Sequence, residues 1–537
     1  MQSRLRNFLD GLPACQNTSR CTIHVVLVLR ASDSWYLYIK IAYKGTVLYR
    51  NLCKTQVENC NFKQILAKIS IISNQNSLNI PHKSSMSWVA TFGNHICKLI
   101  PLGLPGTQFE IYSKLEQHYS HTFLFESLTG PEELAESSII GFDPKIIIRG
   151  FADRIILTYK DGTTKTISTK DPIAELKQFI TKNSDQSHRY LGGAVGIINY
   201  DAIKLYENIP IKDNSKPLIE FGIYQDGILY DNKTKQSLYF YYDENRINQI
   251  KQTERKFGNI QLSDIVSNLD ETKFSDIVNQ AKKYLYSGDI FQVVLSRRFS
   301  FSASGDFLRV YKELRTLNPS PYLYHIKFGQ KIYIGCSPEM LVRVTGDVVE
   351  TFPIAGTRKI TDDETKNKQL EQELLSDEKE IAEHTMLVDL GRNDVGRVCK
   401  YGSVHVPELM QIKRFSHVQH IVTHVIGTLD EKQDMFSAFE AVFPAGTVTG
   451  APKVRAMEII NELEPDVRGQ YAGAVGYFSN NGCCDFAIAI RSIFFDGNEG
   501  FVQSGAGIVM DSTPQGEFKE TEHKAGAMIA SLMEASK

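Results

Sequence analysis

The segment from Phe274 to Phe301 reads FSDIVNQAKKYLYSGDIFQVVLSRRFSF and predicts a helix followed by a strand. Its first half carries an apolar stripe at helical spacing, made of Phe274, Ile277, Val278, Ala281 and Leu285. Gly288 is a typical helix stop, and the run from Ile290 to Phe301 is typical of a strand. This order of elements indicates a mixed α and β protein.

Short β-type runs alternate with turn signals upstream of this segment. They cover Ile139–Ile148, Arg154–Tyr159, Gly192–Tyr200, Gly227–Tyr230 and Ser237–Tyr242. The pattern predicts large sheets, with helices such as Ile173–Ile180 laid on them. Charged and loosely patterned sequence near residues 245–270 predicts a boundary. The predicted fold class is therefore α+β.

Composition excludes several classes of protein. The chain has 537 residues, of which 42% are hydrophobic and 23% charged, enough for a large buried core and too apolar for a disordered chain. No apolar run approaches the ~18 residues needed to cross a bilayer, and residues 1–12 lack the apolar stretch of a secretory signal. The nine cysteines are irregularly spaced, which predicts reduced thiols in the cytoplasm. Organelle targeting by the basic start is the alternative.

Residues 1–98 differ in composition from the rest of the chain. They contain 12 Lys and Arg against 3 Asp and Glu, whereas the whole chain has 60 against 62 and a net charge of -2. The remainder is thus acidic and has no global attraction for nucleic acid. Strands over residues 22–52, a helix over 62–72 and a polar linker over 73–87 are predicted. We therefore expect residues 1–98 to form a basic N-terminal extension of unknown role.

Two pairs of glutamates at i, i+3 spacing are the first candidates for a site. Glu380 and Glu383 share one face of a predicted helix, which Ser376 or Asp377 can cap and Gly391 can end. Glu517 and Glu520 share a face of the C-terminal helix. Brought together, the two pairs would offer the hard oxygen ligands that Mg²⁺ prefers, although one such pair alone is more often a solvated helix face.

Small-residue loops are the second kind of candidate. Phe443–Arg455 (FPAGTVTGAPKVR) leads into a helix predicted over Lys453–Leu463, and a helix start with close glycine backbone suits an anion. Pro353–Arg358 and Ser504–Ile508 (SGAGI) are similar in character, and we expect a tight turn in the latter. Arg491 ends an apolar strand, where arginine is rarely buried without an anionic partner. The residues alone predict an enzyme for a small anion, without naming the reaction.

Together these segments resemble the large subunit (component I) of anthranilate synthases, a branch of the chorismate-utilising enzymes. The resemblance runs from about Phe109 to Ala535 without large gaps, and residues 1–98 lie outside it. It rests on many coinciding motifs, among them FLFES (123–127), GDIFQVV (288–294), NPSPY (318–322), SPEM (337–340), PIAGT (353–357) and YAGAVG (471–476). It implies large antiparallel sheets packed as a sandwich with flanking helices, a regulatory region over 99–262 and a chorismate-binding catalytic region over 263–537.

The resemblance implies a lyase of tryptophan biosynthesis that converts chorismate and ammonia to anthranilate and pyruvate. Glu383 and Glu520 would hold Mg²⁺, the implied cofactor, for the ring carboxylate of chorismate. The implied substrate-binding residues are Gly356, Thr357, Tyr471, Arg491, Gly505, Ala506 and Gly507. The implied catalytic residues are Glu380 and Glu517 of the acidic cluster, Gln292, Thr447, and His420 beside the leaving 4-hydroxyl.

Two positions bear on which reaction of the family is expected. Aminodeoxychorismate synthases often carry a nucleophilic lysine where this chain has Ala355, and water-using isochorismate and salicylate synthases carry a lysine base where it has Gln292. Without either lysine, direct attack of ammonia on the ring followed by loss of pyruvate is expected. Aminodeoxychorismate synthase is the main alternative. A non-catalytic amino-acid sensor is disfavoured because all four glutamates are present.

The resemblance also implies partners. None of the nine cysteines lies in a Gly-x-Cys-x-Gly nucleophile turn, so a separate glutamine amidotransferase subunit is expected to supply ammonia. Tryptophan is the implied feedback inhibitor. Its implied binding residues are Ser127, next to Glu126, and Pro321, Tyr322 and Leu323. A rigid turn leading into a strand over Tyr322–Phe328 is the simpler interpretation of the second group.

Overall fold

The computed structural model describes residues 97–537, apart from 130–136, 211, 213–214, 251–252 and 416–417, together with three strands nearer the N-terminus. These strands, β1 (Cys21–Leu29), β2 (Ser34–Tyr43) and β3 (Thr46–Gln56), pair in that order into an antiparallel sheet. The strands expected over residues 22–52 are therefore present. The helix and linker expected over residues 62–87 lie outside the described residues. The chain divides into two compact units, Met1–Asn94 and His95–Lys537.

The second unit is built mainly from strands, with fewer helices. Its strands are β4 (Lys98–Pro101), β5 (His121–Glu126), β6 (Ser137–Phe142), β7 (Ile146–Gly150), β8 (Arg154–Tyr159), β9 (Thr164–Ser168), β10 (Gly193–Ile198), β11 (Ile219–Tyr224), β12 (Asp226–Asp231), β13 (Ser237–Tyr241), β14 (Ile260–Leu262), β15 (Val266–Ser267), β16 (Gln292–Gly305), β17 (Tyr322–Phe328), β18 (Lys331–Ser337), β19 (Met340–Thr345), β20 (Val348–Thr351), β21 (Ile354–Lys359), β22 (His405–Arg414), β23 (Val418–Thr428), β24 (Gly450–Ala451), β25 (Ala474–Ser479), β26 (Cys484–Ile488), β27 (Ser492–Asp496) and β28 (Glu499–Ile508). Its α-helices are α1 (Gln108–Glu116), α2 (Glu271–Tyr286), α3 (Phe307–Leu317), α4 (Glu364–Ser376), α5 (Glu378–Gly396), α6 (Met435–Val442), α7 (Lys453–Leu463) and α8 (Pro514–Ala535).

These strands form two large antiparallel sheets. The first runs in the order β21-β23-β20-β19-β26-β25-β10-β11-β7-β8-β9, with β22 paired to β23. The second runs β14-β16-β28-β27-β18-β17-β5-β6-β12-β13-β4, with β15 and β24 paired to β16. Because β10 pairs with β25 and β5 pairs with β17, strands from both sides of residue 262 share both sheets. The regions 99–262 and 263–537 are therefore interleaved in one compact unit rather than forming separate bodies.

The two sheets pack face to face around a core rich in aromatic side chains. Phe123 of the second sheet lies 4.8 Å, centroid to centroid, from Tyr224 of the first. Gly196 and Gly476 face each other across β10 and β25, and a Cβ on Gly196 would lie 2.0 Å from the carbonyl oxygen of Glu220. Glycine is therefore what lets the central strands approach so closely. The predicted sandwich of large antiparallel sheets is confirmed.

The helix and strand predicted from Phe274 to Phe301 are present. Helix α2 begins after Asp270, whose side chain accepts a hydrogen bond from the Lys273 amide, and it buries the predicted apolar stripe. Gly288 follows the helix with φ +81°, a conformation that glycine tolerates best. Strand β16 continues four residues beyond Phe301, to Gly305.

The helix expected over Ile173–Ile180 is present as a 3₁₀ helix, Ala174–Phe179. Two local predictions were wrong. Helix α5 continues past Gly391 to Gly396, because Gly391 lies against Pro353 and Thr351 and serves close packing instead of a helix stop. Residues Ser504–Ile508 lie inside β28 and pair with β16, so the expected tight turn is an extended strand.

Membrane crossing by a helix finds no support in the part of the chain described here. None of the helices within it combines the length and the apolar character that a bilayer span requires.

Candidate active site

One cavity of about 510 Å³ gathers most of the residues singled out from the sequence. This volume falls within the range of small-molecule sites. The predicted residues that line it are Gln292, Gly356, Thr357, Glu380, Glu383, His420, Thr447, Tyr471, Arg491, Gly505, Gly507, Glu517 and Glu520. They come from four strands, two α-helices, a 3₁₀ helix and two loops, which shows that only the tertiary fold assembles them.

Helix α5 supplies the first pair of carboxylates. Asp377 caps it by accepting hydrogen bonds from the amides of Lys379 and Glu380, and this fixes the first turn. Burial raises the pKa of Glu380, whose Oε1 lies 3.3 Å from a guanidinium nitrogen of Arg358. The side-chain amide of Gln292 donates to Oε1 of Glu383 at 2.7 Å. Both carboxylates are therefore oriented by neighbours on other elements.

Helix α8 supplies the second pair. Thr513 caps this helix by accepting from the Gly516 amide. Nζ of Lys524 lies 2.6 Å from Oε1 of Glu520 and donates to the Gly505 carbonyl at 3.1 Å. Burial raises the pKa of Glu517, and its buried Oε2 has no hydrogen-bond partner. An unpaired buried carboxylate oxygen favours an added proton or cation.

The donor set fits Mg²⁺ without being a closed metal cage. No three His, Cys, Asp or Glu side chains of the described residues lie close enough together to hold an ion by themselves. Mg²⁺ commonly takes one or two protein carboxylates and completes its shell with water and substrate oxygens. Besides the buried Glu339, four glutamates line the cavity against three cationic side chains, those of Lys379, Arg491 and Lys524. A doubly negative ligand therefore needs additional positive charge there.

Tyr471, Arg491 and Gly505 also line the cavity and would suit a second anionic group. A Cβ on Gly505 would lie 2.7 Å from the Tyr471 hydroxyl, so glycine is needed for the close approach of this group. Burial raises the pKa of Tyr471 to about 12, which keeps the hydroxyl protonated as a donor. Arg491 has φ +53°, and its carbonyl accepts from the Cys336 amide at 3.0 Å. Backbone contacts thus hold an arginine in a left-handed conformation.

The SGAGI strand contributes its glycines but not its alanine side chain. Gly507 lies against Gln292, since a Cβ on it would meet Nε2 of that residue at 2.6 Å. Ala506 does not line the cavity, and its methyl group is fully buried in a core cluster with residues of α2 and α7. The cause is the alternation of faces along a strand. The resemblance implies binding by the backbone of residues 505–507, and for Ala506 this stays a prediction.

His420 is held in one orientation. Its Nδ1 lies 2.8 Å from the Gly356 carbonyl and 3.1 Å from the Thr357 hydroxyl. Because a carbonyl can only accept, Nδ1 carries the proton, which leaves Nε2 to exchange a proton with a ligand. Burial lowers the pKa of His420. The neighbouring His424 instead pairs with Glu350 at 3.0 Å, while His417 lies outside the described residues.

Glu339 is the main cavity residue that the sequence did not single out. It lies in the SPEM motif, between β18 and β19, is 7% exposed and lines the cavity. Burial raises its pKa to about 8, so the carboxyl is largely protonated near neutral pH. The motif was visible in the sequence, but burial, which only the fold determines, gives this carboxyl its protonation state.

The predicted tryptophan-binding residues surround a different, smaller cavity. Ser127, Pro321, Tyr322 and Leu323 all line it, together with Glu126. Its volume is about 60 Å³, and an indole side chain would need it to widen. The Ser127 hydroxyl is buried without a partner, whereas Glu126 already accepts from Tyr311 and Arg315 at 2.7 Å. The serine is thus available to a ligand, and the glutamate is already paired.

Comparison with known proteins places this chain among related sequences. The family of chorismate binding enzymes matches residues 120–530. Anthranilate synthase component 1 of Methanothermobacter thermautotrophicus is 44% identical over 427 residues, which cover 79% of this chain and 92% of the relative. Aminodeoxychorismate synthase component 1 of Bacillus subtilis is 40% identical over 446 residues, covering 78% and 93%.

Solved structures agree with these sequence matches. Anthranilate synthase component I from Streptococcus pneumoniae superposes with a TM-score of 0.66 at 37% identity, over 73% of this chain and 92% of that one. The menaquinone-specific isochorismate synthase from Escherichia coli superposes with a TM-score of 0.62 over 87% and 99%. At 19% identity, the second likeness bears on the fold alone.

Proposed function

This chain belongs to the family of chorismate-binding enzymes, and we propose that it is the large subunit of an anthranilate synthase. In this proposal chorismate and ammonia become anthranilate, pyruvate and water. The observation that carries it is the cavity itself, where carboxylates of α5 and α8 and the group formed by Tyr471, Arg491 and Gly505 all face the same space. Chorismate carries two carboxylates. One would meet a cation held by the glutamates, and the other would meet the group formed by Tyr471, Arg491 and Gly505.

The cavity residues suit the two anions differently. Arg491 and the protonated Tyr471 hydroxyl would donate to the enolpyruvyl carboxylate, while Gly505 leaves room for it beside the strand. Glu383 and Glu520 would hold Mg²⁺, which when bound supplies the positive charge that the ring carboxylate needs among so many glutamates. Charge complementarity of this kind fixes the orientation of the ring.

The leaving hydroxyl requires a proton. His420, whose Nδ1 proton is committed to Gly356, would accept a proton on Nε2 from solvent and pass it to the hydroxyl, which departs as water as ammonia bonds to the ring. The ammonium group formed on the ring releases one proton to solvent, so the step balances. Glu339, protonated near neutral pH, is a second buried donor in the same cavity. Loss of a ring proton and cleavage of the bond to the enolpyruvyl oxygen then release pyruvate and make the ring aromatic. The side chain at 355 is a buried methyl, so attack by a lysine nucleophile is not available at that position.

Two further elements belong to the proposal. Ammonia would come from a separate glutamine amidotransferase subunit, and tryptophan would inhibit by binding at the cavity beside Ser127. The unpaired buried hydroxyl of Ser127 supports the latter.

Product identity tests the proposal. The purified chain is incubated with chorismate, Mg²⁺ and ammonium at alkaline pH, and products are separated and identified by fluorescence and mass. Anthranilate with an equal amount of pyruvate is the expected result. Accumulation of 4-amino-4-deoxychorismate would instead establish the alternative function, which the 40% identity to the Bacillus subtilis relative keeps relevant. Isochorismate would reject both.

A further inference from the structure

Arg468 and Glu464 form a buried ion pair behind the candidate active site. Their side chains are 1% and 3% exposed. Nε of Arg468 donates to Oε2 of Glu464 at 2.9 Å, and Nη2 donates to Oε1 at 2.7 Å. This is the two-point geometry that arginine, unlike lysine, makes with a carboxylate. Neither residue lines the cavity.

The remaining donors of Arg468 reach the backbone of residues that do line the cavity. Nη1 donates to the Val448 carbonyl at 2.7 Å, next to Thr447. Nη2 donates to the Val294 carbonyl at 2.8 Å, on the strand that begins at Gln292. One guanidinium group therefore joins the loop before α7 to strand β16.

The same guanidinium lies beside the ring of Tyr471. Its central carbon is 5.5 Å from the centroid of that ring and 4.8 Å from that of Tyr200. The intervening Gly469 is fixed from both sides, because its amide donates to Asp201 at 3.0 Å and its carbonyl accepts from the Tyr200 amide at 2.8 Å. These hydrogen bonds and the ion pair together restrict the turn that carries Tyr471.

Glu464 extends the network to β16. Its Oε1 accepts from both the amide and the hydroxyl of Ser296, each at 2.8 Å. The hydrogen bonds of the two side chains go to the partner, to strand β16 and to the loop before α7. A buried ion pair is a costly way to stabilise a core, since apolar residues of similar volume often serve as well. The placement of this ion pair therefore favours a role in positioning residues of the cavity.

We propose that Arg468, held by Glu464, is a positioning residue that sets the Tyr471 hydroxyl and the Thr447 loop for the enolpyruvyl end of the substrate. The inference rests on the proposed function, since it requires chorismate in this cavity. It does not depend on which product forms, because it concerns binding of the enolpyruvyl group of chorismate, which is present whichever reaction follows.

The test is a double-mutant cycle between Arg468→Lys and Tyr471→Phe, measured as consumption of chorismate. Lysine keeps the charge but cannot make the forked contacts, so kcat/KM should fall at least about tenfold with most of the loss in KM. In the Tyr471→Phe background the same change should cost much less. Affinity for benzoate, a ring carboxylate without an enolpyruvyl group, should stay unchanged in either variant.

Arg246→Lys is the matched control. Arg246 makes the same two-point contact, with Asp226 at 2.9 and 2.6 Å, away from the cavity. It should alter thermal stability without altering KM. If Arg468→Lys does not fold, the double variant Arg468→Met, Glu464→Leu replaces it in the cycle. This variant exchanges the ion pair for apolar side chains, and the same outcomes support or overturn the inference. A kcat/KM within about twofold of wild type, or losses that simply add to those of Tyr471→Phe, would overturn the inference.

Discussion

Gln292 donates its side-chain amide to Oε1 of Glu383 at 2.7 Å and so connects the first residue of β16 to helix α5. Replacement by leucine removes this hydrogen bond while keeping similar bulk. A hydrogen bond to a charged group contributes about 1.5–3 kcal/mol. We therefore expect Gln292→Leu to raise the Mg²⁺ concentration for half-maximal activity by about tenfold or more. Mg²⁺ titration of initial rates measures this, and an unchanged midpoint would remove Gln292 from the site.

The assigned metal ligands give the second prediction. Glu383→Gln and Glu520→Gln should each abolish synthesis, because a neutral amide is a poorer ligand for a hard cation than a carboxylate. Glu378→Gln, on the same helix as Glu383 but outside the cavity, is the control and should retain activity. Either cavity variant turning over at the wild-type rate in saturating Mg²⁺ would contradict the assignment.

Much of this site could be anticipated because its residues lie in motifs that are local in sequence. The pairing of Glu380 with Glu383 follows from helical spacing, which holds regardless of tertiary structure. The extended conformation of residues 504–508 did not follow, because their small residues were expected to form a tight turn. The buried state of Glu339 did not follow either, since it depends on packing by residues distant in sequence.

For the fold, the positions of the strands could be predicted from the sequence, but the pairing between them could not. Strand runs such as Arg154–Tyr159 have the predicted bounds because alternation and turn residues are local signals. The pairing of β10 with β25 joins residues about 280 positions apart, such as Gly193 and Ser479, and no local pattern encodes it. A division near residue 262 was therefore inferred from composition where the sheets in fact interleave.

Glu339 predicts a pH dependence of stability. Burial raises its pKa from 4.5 to about 8, so between these values the folded state binds a proton that the unfolded state has lost. The free energy of unfolding should fall as pH rises through this window, by an amount on the order of a few kcal/mol. Glu339→Gln cannot titrate and should lose this slope. Urea unfolding at about pH 6 and about pH 9 tests it, with the 89% exposed Glu431→Gln as control.

Wild type and Glu339→Gln should therefore differ most in stability at the alkaline end, where the variant is the more stable protein. Parallel pH profiles for the two proteins would show that Glu339 keeps an ordinary pKa and would remove it as a proton donor.

The N-terminal unit gives the fourth prediction. Residues 1–94 form a compact unit of their own, and the family match begins at residue 120. A protein that starts at Met86, at the end of the polar stretch of residues 73–87, should therefore make product from ammonia at a rate within about twofold of the full chain. Purified proteins of both lengths are compared at saturating chorismate. A folded but inactive shorter protein would assign residues 1–85 a part in catalysis.

The last prediction concerns the smaller cavity. Tryptophan should inhibit the wild-type enzyme, and Ser127→Phe should abolish inhibition while retaining turnover. The Ser127 hydroxyl is buried and unpaired, and a phenyl ring would fill a space of only about 60 Å³. Leu128→Phe adds the same ring to the neighbouring residue, which is 36% exposed and does not line the cavity, so it should remain inhibited. Rates are followed with chorismate varied, and a wild-type enzyme indifferent to millimolar tryptophan would show that this cavity is not a tryptophan site.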